Sequence, residues 1–239
     1  MPLLAELYPP NRLAVEVSLW SADLANLGAE VARLSPYADA FHIDASDTRF
    51  APGPLFFPDL VAALRPHTTV PFHVHVMAER ATPLVEAFAR AGADLLCVHA
   101  EAQDTADALQ TVRALGGAAG LALRLDTPVE EAAAYLGNAD FVVMIGTRLG
   151  TKGTAMDPAA PDRIRNLRAL AEQAGLAQLP IIADGGIRET TIAALAAAGA
   201  DAVVAGSLLL GSDDLTATTA WLHSQRALAT AGHRAGERT

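Results

Sequence analysis

The sequence has one cysteine, Cys97, and one lysine, Lys152, among 239 residues. A single cysteine excludes an internal disulfide framework and fits a reducing compartment, so a cytoplasmic protein is expected. Cys97 lies in the apolar run LLCVHA, where it reads as a core thiol rather than a nucleophile. Schiff-base chemistry needs a lysine on an inner strand face, and the one lysine falls in a loop. Basic residues number 17 against 27 acidic ones, a formal net charge of −10 with histidine neutral. An acidic chain without basic clusters lacks the electrostatic footprint of a nucleic-acid binder. No apolar run reaches the ~18 residues that a membrane span needs. The N-terminus, MPLLAELYPPNR, lacks the basic start and long apolar stretch of a secretory signal.

What is present is alternation. Short apolar runs predict strands near 13–19, 40–46, 71–77, 95–100, 119–124, 141–146, 180–184 and 202–206. Between them, apolar residues spaced by three and four predict helices over 23–34, 57–65, 83–91, 104–115, 129–136, 160–174 and 189–198, and a last one from Asp213 to about Ala231. Ser-Ala-Asp at 21–23, Thr82-Pro83 and Thr127-Pro128 offer helix starts. An Ala-Asp pair recurs before every second strand, at 38–39, 93–94, 139–140 and 200–201. Intervals of 55, 46 and 61 residues fit two βα units each. Eight such units predict an α/β fold, a (β/α)8 TIM barrel, with a doubly wound open sheet as the alternative. No linker divides the chain, so one domain over 1–239 is expected, with a short N-terminal extension (1–12) and a frayed tail (232–239).

Polar residues inside the strand runs carry the chemistry. Residues two apart in a strand share a face, so His42, Asp44 and Ser46 point one way, as do His73, His75 and Met77. In a barrel the last inward residues of each strand ring the active-site mouth. His42, Asp44, His75 and Asp184 all fall at such ends. A strand histidine by itself is more often a hydrogen-bonded core residue than a ligand. Two strands ending in His and Asp, with a third ending in Asp-Gly-Gly, favour a shared cation, because buried unpaired carboxylates are costly. Mixed imidazole and carboxylate donors suit one divalent ion of Zn, Mn, Fe or Co better than Mg or Ca. Gly185-Gly186 and Gly206-Ser207 follow the seventh and eighth strands, where barrels commonly bind phosphate.

The segments SLWSAD, FHIDASDTRFAP, FHVHVM, AGADLLCVHAEA, IIADGGI and AGADAVVAGS, in this order, resemble the signature segments of the ribulose-phosphate 3-epimerase family. The likeness runs from about residue 15 to residue 211. It implies a metal-dependent 3-epimerase, an isomerase of carbohydrate metabolism. The substrate would be a ketose phosphate: ribulose 5-phosphate and xylulose 5-phosphate, or a related tetrulose or hexulose phosphate. By resemblance, His42, Asp44, His75 and Asp184 bind one divalent metal, and Asp44 and Asp184 also move protons through a metal-stabilised enediolate. Ser18 takes the place of a substrate-contacting serine, with a strand-end or capping hydroxyl as its other reading, and Met77 and Met144 take those of apolar groups beside the reacting carbons. Gly185, Gly186, Gly206 and Ser207 sit at phosphate-binding positions. A homo-oligomer acting on a small phosphorylated sugar is also implied.

The sequence departs from that family in three places. The family's Pro-Gly-Phe-Gly-Gly-Gln lid is replaced by GTRLGTKGTAMDP, in which Arg148, Gly150 and Lys152 offer either a grip on a second substrate group or solvated loop charges. Ser46 stands for a methionine, which predicts a more polar pocket wall. His73 stands for an aspartate, with support of the site or core packing as its two readings. Among rivals, related barrel synthases and decarboxylases carry Asp-x-Lys-x-x-Asp, which Asp44, Ser46 and Arg49 break. A barrel aldolase or lyase, or a barrel that binds sugar phosphate or metal without turnover, are the alternatives.

Overall fold

The eight apolar runs become eight parallel strands in the computed structural model, which describes residues 2–53 and 55–236. They are β1 (Ala14–Ser18), β2 (Ala40–Ser46), β3 (Phe72–Met77), β4 (Leu95–His99), β5 (Ala118–Leu123), β6 (Phe141–Ile145), β7 (Ile181–Asp184) and β8 (Ala202–Ala205). Each pairs with the next, and β8 pairs with β1 through Val15 and Val203, closing a barrel. That closure rules out the open sheet. Alternate residues then serve two apolar layers. Leu95, Cys97, Phe141, Val143 and Ile182 pack in one inner cluster. Val15, Val17, Phe41, Ile43 and Val142 pack in a second cluster with the helices.

Helices α2 (Leu27–Leu34), α3 (Pro58–Leu64), α4 (Thr82–Arg90), α5 (Thr105–Ala114), α6 (Ala160–Gln173) and α7 (Glu189–Ala198) follow the expected segments. The stretch 129–136 does not form an α-helix; it makes tight 3-10 turns over Val129–Ala134 and Leu136–Asn138. Its buried residues Val129 and Ala132 are three apart, a spacing that a 3-10 turn stacks on one side. The expected caps also differ. Asp23 does cap its turn, accepting from the Ala25 N–H at 3.0 Å. Thr82 lies inside α4, and the Asp104 carboxylate accepts from the N–H groups of Ala81 and Thr82 at 2.7 and 3.1 Å. Thr127 instead gives its hydroxyl to Glu101.

The recurrent Ala-Asp pair has a physical cause. Asp39, Asp94, Asp140 and Asp201 each accept the backbone N–H of the odd-numbered strand before them, at Val15, Phe72, Ala119 and Ile181, over 2.8–2.9 Å. Each also pairs with an arginine: Arg12, Arg65, Arg113 and Arg168 respectively. One device repeats four times around the floor of the barrel, where barrels keep residues that stabilise the fold. Each carboxylate bond contributes roughly 1 kcal/mol net and would cost more to leave unmade.

The N-terminal segment belongs to that floor. Leu4 and Leu7 of α1 (Pro2–Leu7) and Tyr8 just after it are buried in the inner cluster. A short α8 (Ser207–Leu210) follows β8, and α9 (Leu215–Gly236) runs beyond the expected end near Ala231. The expected tail is therefore helical as far as Gly236, and 237–239 lie outside the described residues. Among the described residues, no helix is long and apolar enough to cross a membrane.

Candidate active site

Strand register brings the polar residues together. Asp44 on β2 lies opposite His75 on β3, and Ser18 on β1 opposite His42. His42 Nε2 is 3.4 Å from Asp44 Oδ1 and 3.8 Å from Asp184 Oδ2. His75 Nδ1 is 3.3 Å from Asp44 Oδ1 and 3.8 Å from Asp184 Oδ2. One ligand atom from each of the four lies within 4.8 Å of the others. Two ligands about 2.1 Å from one ion at a tetrahedral angle are about 3.4 Å apart, so the spacing fits a shared divalent cation. The donor chemistry fits too. His42 Nε2 is buried beside the Asp44 and Asp184 carboxylates and has no hydrogen-bond partner among the described residues.

The far side of each histidine is held. His42 Nδ1 is 3.0 Å from Glu16 Oε2. His75 Nε2 is 2.8 Å from His99 Nε2, and His99 Nδ1 is 3.1 Å from Glu101 Oε2. An ionised carboxylate only accepts, so Glu101 draws a proton onto His99 Nδ1. His99 Nε2 then accepts from His75 Nε2–H, which leaves the Nδ1 lone pair of His75 facing the cluster.

Above the quartet opens a cavity of about 180 Å³. Ser18, Asp44, His75, Met77 and Asp184 form its depth. Gly185, Gly186, Gly206 and Ser207 line one side, and Arg148, Gly150 and Lys152 line the covering loop. Met144 is not there. It packs in the layer between sheet and helices, and β6 presents Ile145 to the cavity instead, because neighbouring strand residues face opposite ways. Ser46 does not polarise a pocket wall either. Its hydroxyl donates to the Ala51 carbonyl at 2.9 Å and accepts from the Thr48 N–H at 3.0 Å, tying down the β2 loop.

The loop over 146–158 is seated, not free. Lys152 Nζ donates to the Trp20 carbonyl at 2.8 Å, strapping the loop to the segment after β1. Gly150 has φ +68°, and a Cβ there would come within 2.6 Å of the Pro52 ring. Gly186, at φ +69°, likewise lacks room for a Cβ because the Met156 backbone lies against it. Glycine at 186 is thus needed for the covering loop to settle on the β7 turn.

The sequence pattern described as "Ribulose-phosphate 3 epimerase family" matches residues 14–210. A ribulose-phosphate 3-epimerase of Bacillus subtilis is 35% identical over 84% of this chain and 94% of its own. Ribulose-phosphate 3-epimerase 1 of Cupriavidus necator is 36% identical over 82% of this chain and 84% of its own. The chain belongs to the ribulose-phosphate 3-epimerase family. It is an isomerase, a carbohydrate-phosphate epimerase. Among solved structures, a 3-keto-L-gulonate-6-phosphate decarboxylase from Vibrio cholerae superposes with a TM-score of 0.68 over 90% of this chain and 97% of its own. At 20% identity that likeness concerns the barrel alone.

Within this epimerase-family barrel the two aspartates are driven apart. Burial raises the Asp44 carboxyl, but His42 and His75 beside it prevail and hold it well below the usual carboxylate range. Burial pushes Asp184 up; His42 pulls it back, the Asp44 charge opposes that, and the net is a raised pKa. Burial disfavours charge on His42, yet Asp44 first, then Glu16 and Asp184, raise its demand for positive charge well above the ordinary. A cation at Nε2 would meet the same demand. Burial brings His99 down to about 4, which keeps it neutral at pH 7 and leaves Nε2 free to accept from His75. Glu101 is carried down to about 2: burial opposes this, but hydrogen bonds from His99, Thr127 and the Arg124 N–H outweigh it. Burial raises the Cys97 thiol, which fits a core residue and not a nucleophile.

Sequence reasoning missed Glu16, His99, Glu101 and Arg188. The signal for two of them was present. Glu16 interrupts the apolar run LAVEVSL in phase with Ser18, and His99 ends β4 as His75 nears the end of β3. Arg188 lines the cavity two residues past the Gly-Gly pair and donates to the Gly153 carbonyl at 2.7 Å. Nothing in its local pattern distinguishes it from any helix-start arginine.

Proposed function

We propose that this chain interconverts the C3 epimers of a ketose phosphate, with a pentulose 5-phosphate as first choice and a tetrulose or hexulose phosphate next. The observation that carries the reading is the convergence of His42, Asp44, His75 and Asp184, the last three of which line the cavity. These four would hold one divalent ion of Zn, Mn, Fe or Co. When bound, such an ion supplies Lewis-acid polarisation of the ketone and the adjoining hydroxyl. Asp44 and Asp184 act as the acid–base pair, one on each face of the reacting carbon. One removes the C3 proton and the other returns a proton from the opposite side, which inverts the centre. Ser18 and Met77 fix the sugar between them. The backbone of Gly185, Gly186 and Gly206 and the Ser207 hydroxyl take the phosphate. The covering loop excludes water, with Arg148, Lys152 and Arg188 adding positive charge at the phosphate end. A reducing, cytoplasmic setting fits the one buried thiol. Assembly as a homo-oligomer belongs to the same proposal and rests on membership of the family.

The test is proton exchange. Ketose phosphates of four, five and six carbons are incubated in deuterated buffer, with and without chelator. The true substrate takes up deuterium at C3, and the chelator stops it. A sugar-phosphate binding barrel would show no label with any of them, which sinks the reading. Lys152→Ala also removes the strap to Trp20. It is expected to raise KM about tenfold, the effect of losing about 1.4 kcal/mol of binding, with a smaller change in kcat. An unaltered KM takes the lid out of substrate binding.

A further inference from the structure

Below the metal quartet lies a second polar layer that the proposed reaction does not use. Glu16 is fully buried in the barrel. Its Oε1 accepts the Tyr8 hydroxyl at 2.6 Å, and its Oε2 accepts from His73 Nδ1 at 2.7 Å and His42 Nδ1 at 3.0 Å. A buried carboxylate costs several kcal/mol unless it is paired, so three inward donors on one carboxylate need a reason. Glu16, His42 and His73 are close enough together to suggest a second ion. The distances argue against it. Two ligands about 2.1 Å from one ion stand about 3.0–3.4 Å apart, and 2.7 Å between His73 Nδ1 and Glu16 Oε2 is a hydrogen bond.

We propose that Glu16 is a positioning residue that fixes His42 with its proton on Nδ1, so that the Nε2 lone pair is presented to the metal quartet. The carboxylate accepts and cannot donate, so both neighbouring rings must turn an N–H toward it. His42 then has one nitrogen left, and that nitrogen is the unpartnered one facing Asp44 and Asp184. His73 braces the arrangement. Its ring meets His42 edge-on at 4.7 Å and Phe141 edge-on at 4.9 Å, so it cannot swing toward the site. Tyr8 completes it from below. The N-terminal segment thereby reaches the metal site through one chain of contacts, from Tyr8 to Glu16 to His42. Position 73 lies directly opposite His42 across the β2–β3 ladder. A carboxylate there could face the same Nδ1, so this chain supplies from β1 what position 73 could supply from β3.

The inference rests on the metal reading above, and the two fail separately. If the parent protein binds no stoichiometric Zn(II), Mn(II), Fe(II) or Co(II), the metal reading fails. If it binds one equivalent, Glu16 is tested by chelator competition. Glu16→Ala and Glu16→Gln are expected to weaken Zn(II) binding about 10–100-fold, the usual effect of losing a ligand's outer partner. Glu16→Ala combined with His73→Asp is expected to recover most of that loss, which a merely structural role for Glu16 would not produce. Nitrogen-15 NMR of the parent, metal-free and zinc-loaded, is expected to find His42 Nδ1 protonated in both. A bare Nδ1 in the zinc-loaded parent overturns the proposal even if no Glu16 variant folds. Zn(II) affinity in Glu16→Gln within twofold of the parent overturns it as well, and a second tightly bound equivalent would replace it with a two-ion site.

Discussion

Replacing Asp184 or Asp44 with asparagine is expected to lower kcat by about 10²–10⁴-fold, the range for loss of a general acid or base. Asparagine keeps the shape of the side chain and loses the ability to take a proton. The cost falls on kcat because the proton is in flight only in the transition state. A sharper outcome separates the two positions. If each carboxylate serves one face of C3, each variant retains a base on the other face. Asp184→Asn should then still exchange the C3 proton of one epimer with deuterated solvent, without forming product, and Asp44→Asn should do so with the other epimer. Steady-state assays and proton NMR of the two epimers read both effects. Turnover within tenfold of the parent in either variant removes that aspartate from proton transfer. Exchange of the same epimer by both variants would mean that the two do not divide the faces between them.

Removing metal is expected to have the second-largest effect. Dialysis against a chelator should abolish turnover, and one of Zn, Mn, Fe or Co should restore it where Mg and Ca do not, since the donors are two imidazoles and two carboxylates. The same ion should stabilise the fold. At a free concentration a hundred times its Kd, a ligand specific for the native state adds about 2.7 kcal/mol. For a chain of this size each kcal/mol moves Tm about 2–4 °C, so a rise of about 5–10 °C is expected. Calorimetry with and without the ion measures it. Full turnover in protein shown to hold less than stoichiometric metal would end the metal reading, and unchanged Tm on adding the ion would show that it does not bind the native site.

Much of this was legible because strands are short and periodic. Eight apolar runs with helical spacing between them could be read as βα units, and closure of β8 on β1 is their observed arrangement. The quartet was legible because histidine and aspartate are anomalous in apolar runs. The Ala-Asp echo was visible as a pattern, but its meaning was not. Only the fold shows that Asp39, Asp94, Asp140 and Asp201 each bind a strand N–H and an arginine. The covering loop has no period to read. Its strap from Lys152 to Trp20 joins residues 132 apart in sequence.

By itself the sequence determined which residues share a face and which polar groups stand at strand ends, because a strand repeats every two residues whatever surrounds it. It could not say which face turns inward. That choice placed Ile145 at the cavity and Met144 outside it, and it was made by the register of eight strands closing on one another. The tertiary structure alone also decided what Glu16 does, since Tyr8, His42 and His73 reach its carboxylate from three separate segments of the chain. A contact between distant segments leaves no local period in the sequence, and the cost of burying charge shows only that some partner must exist.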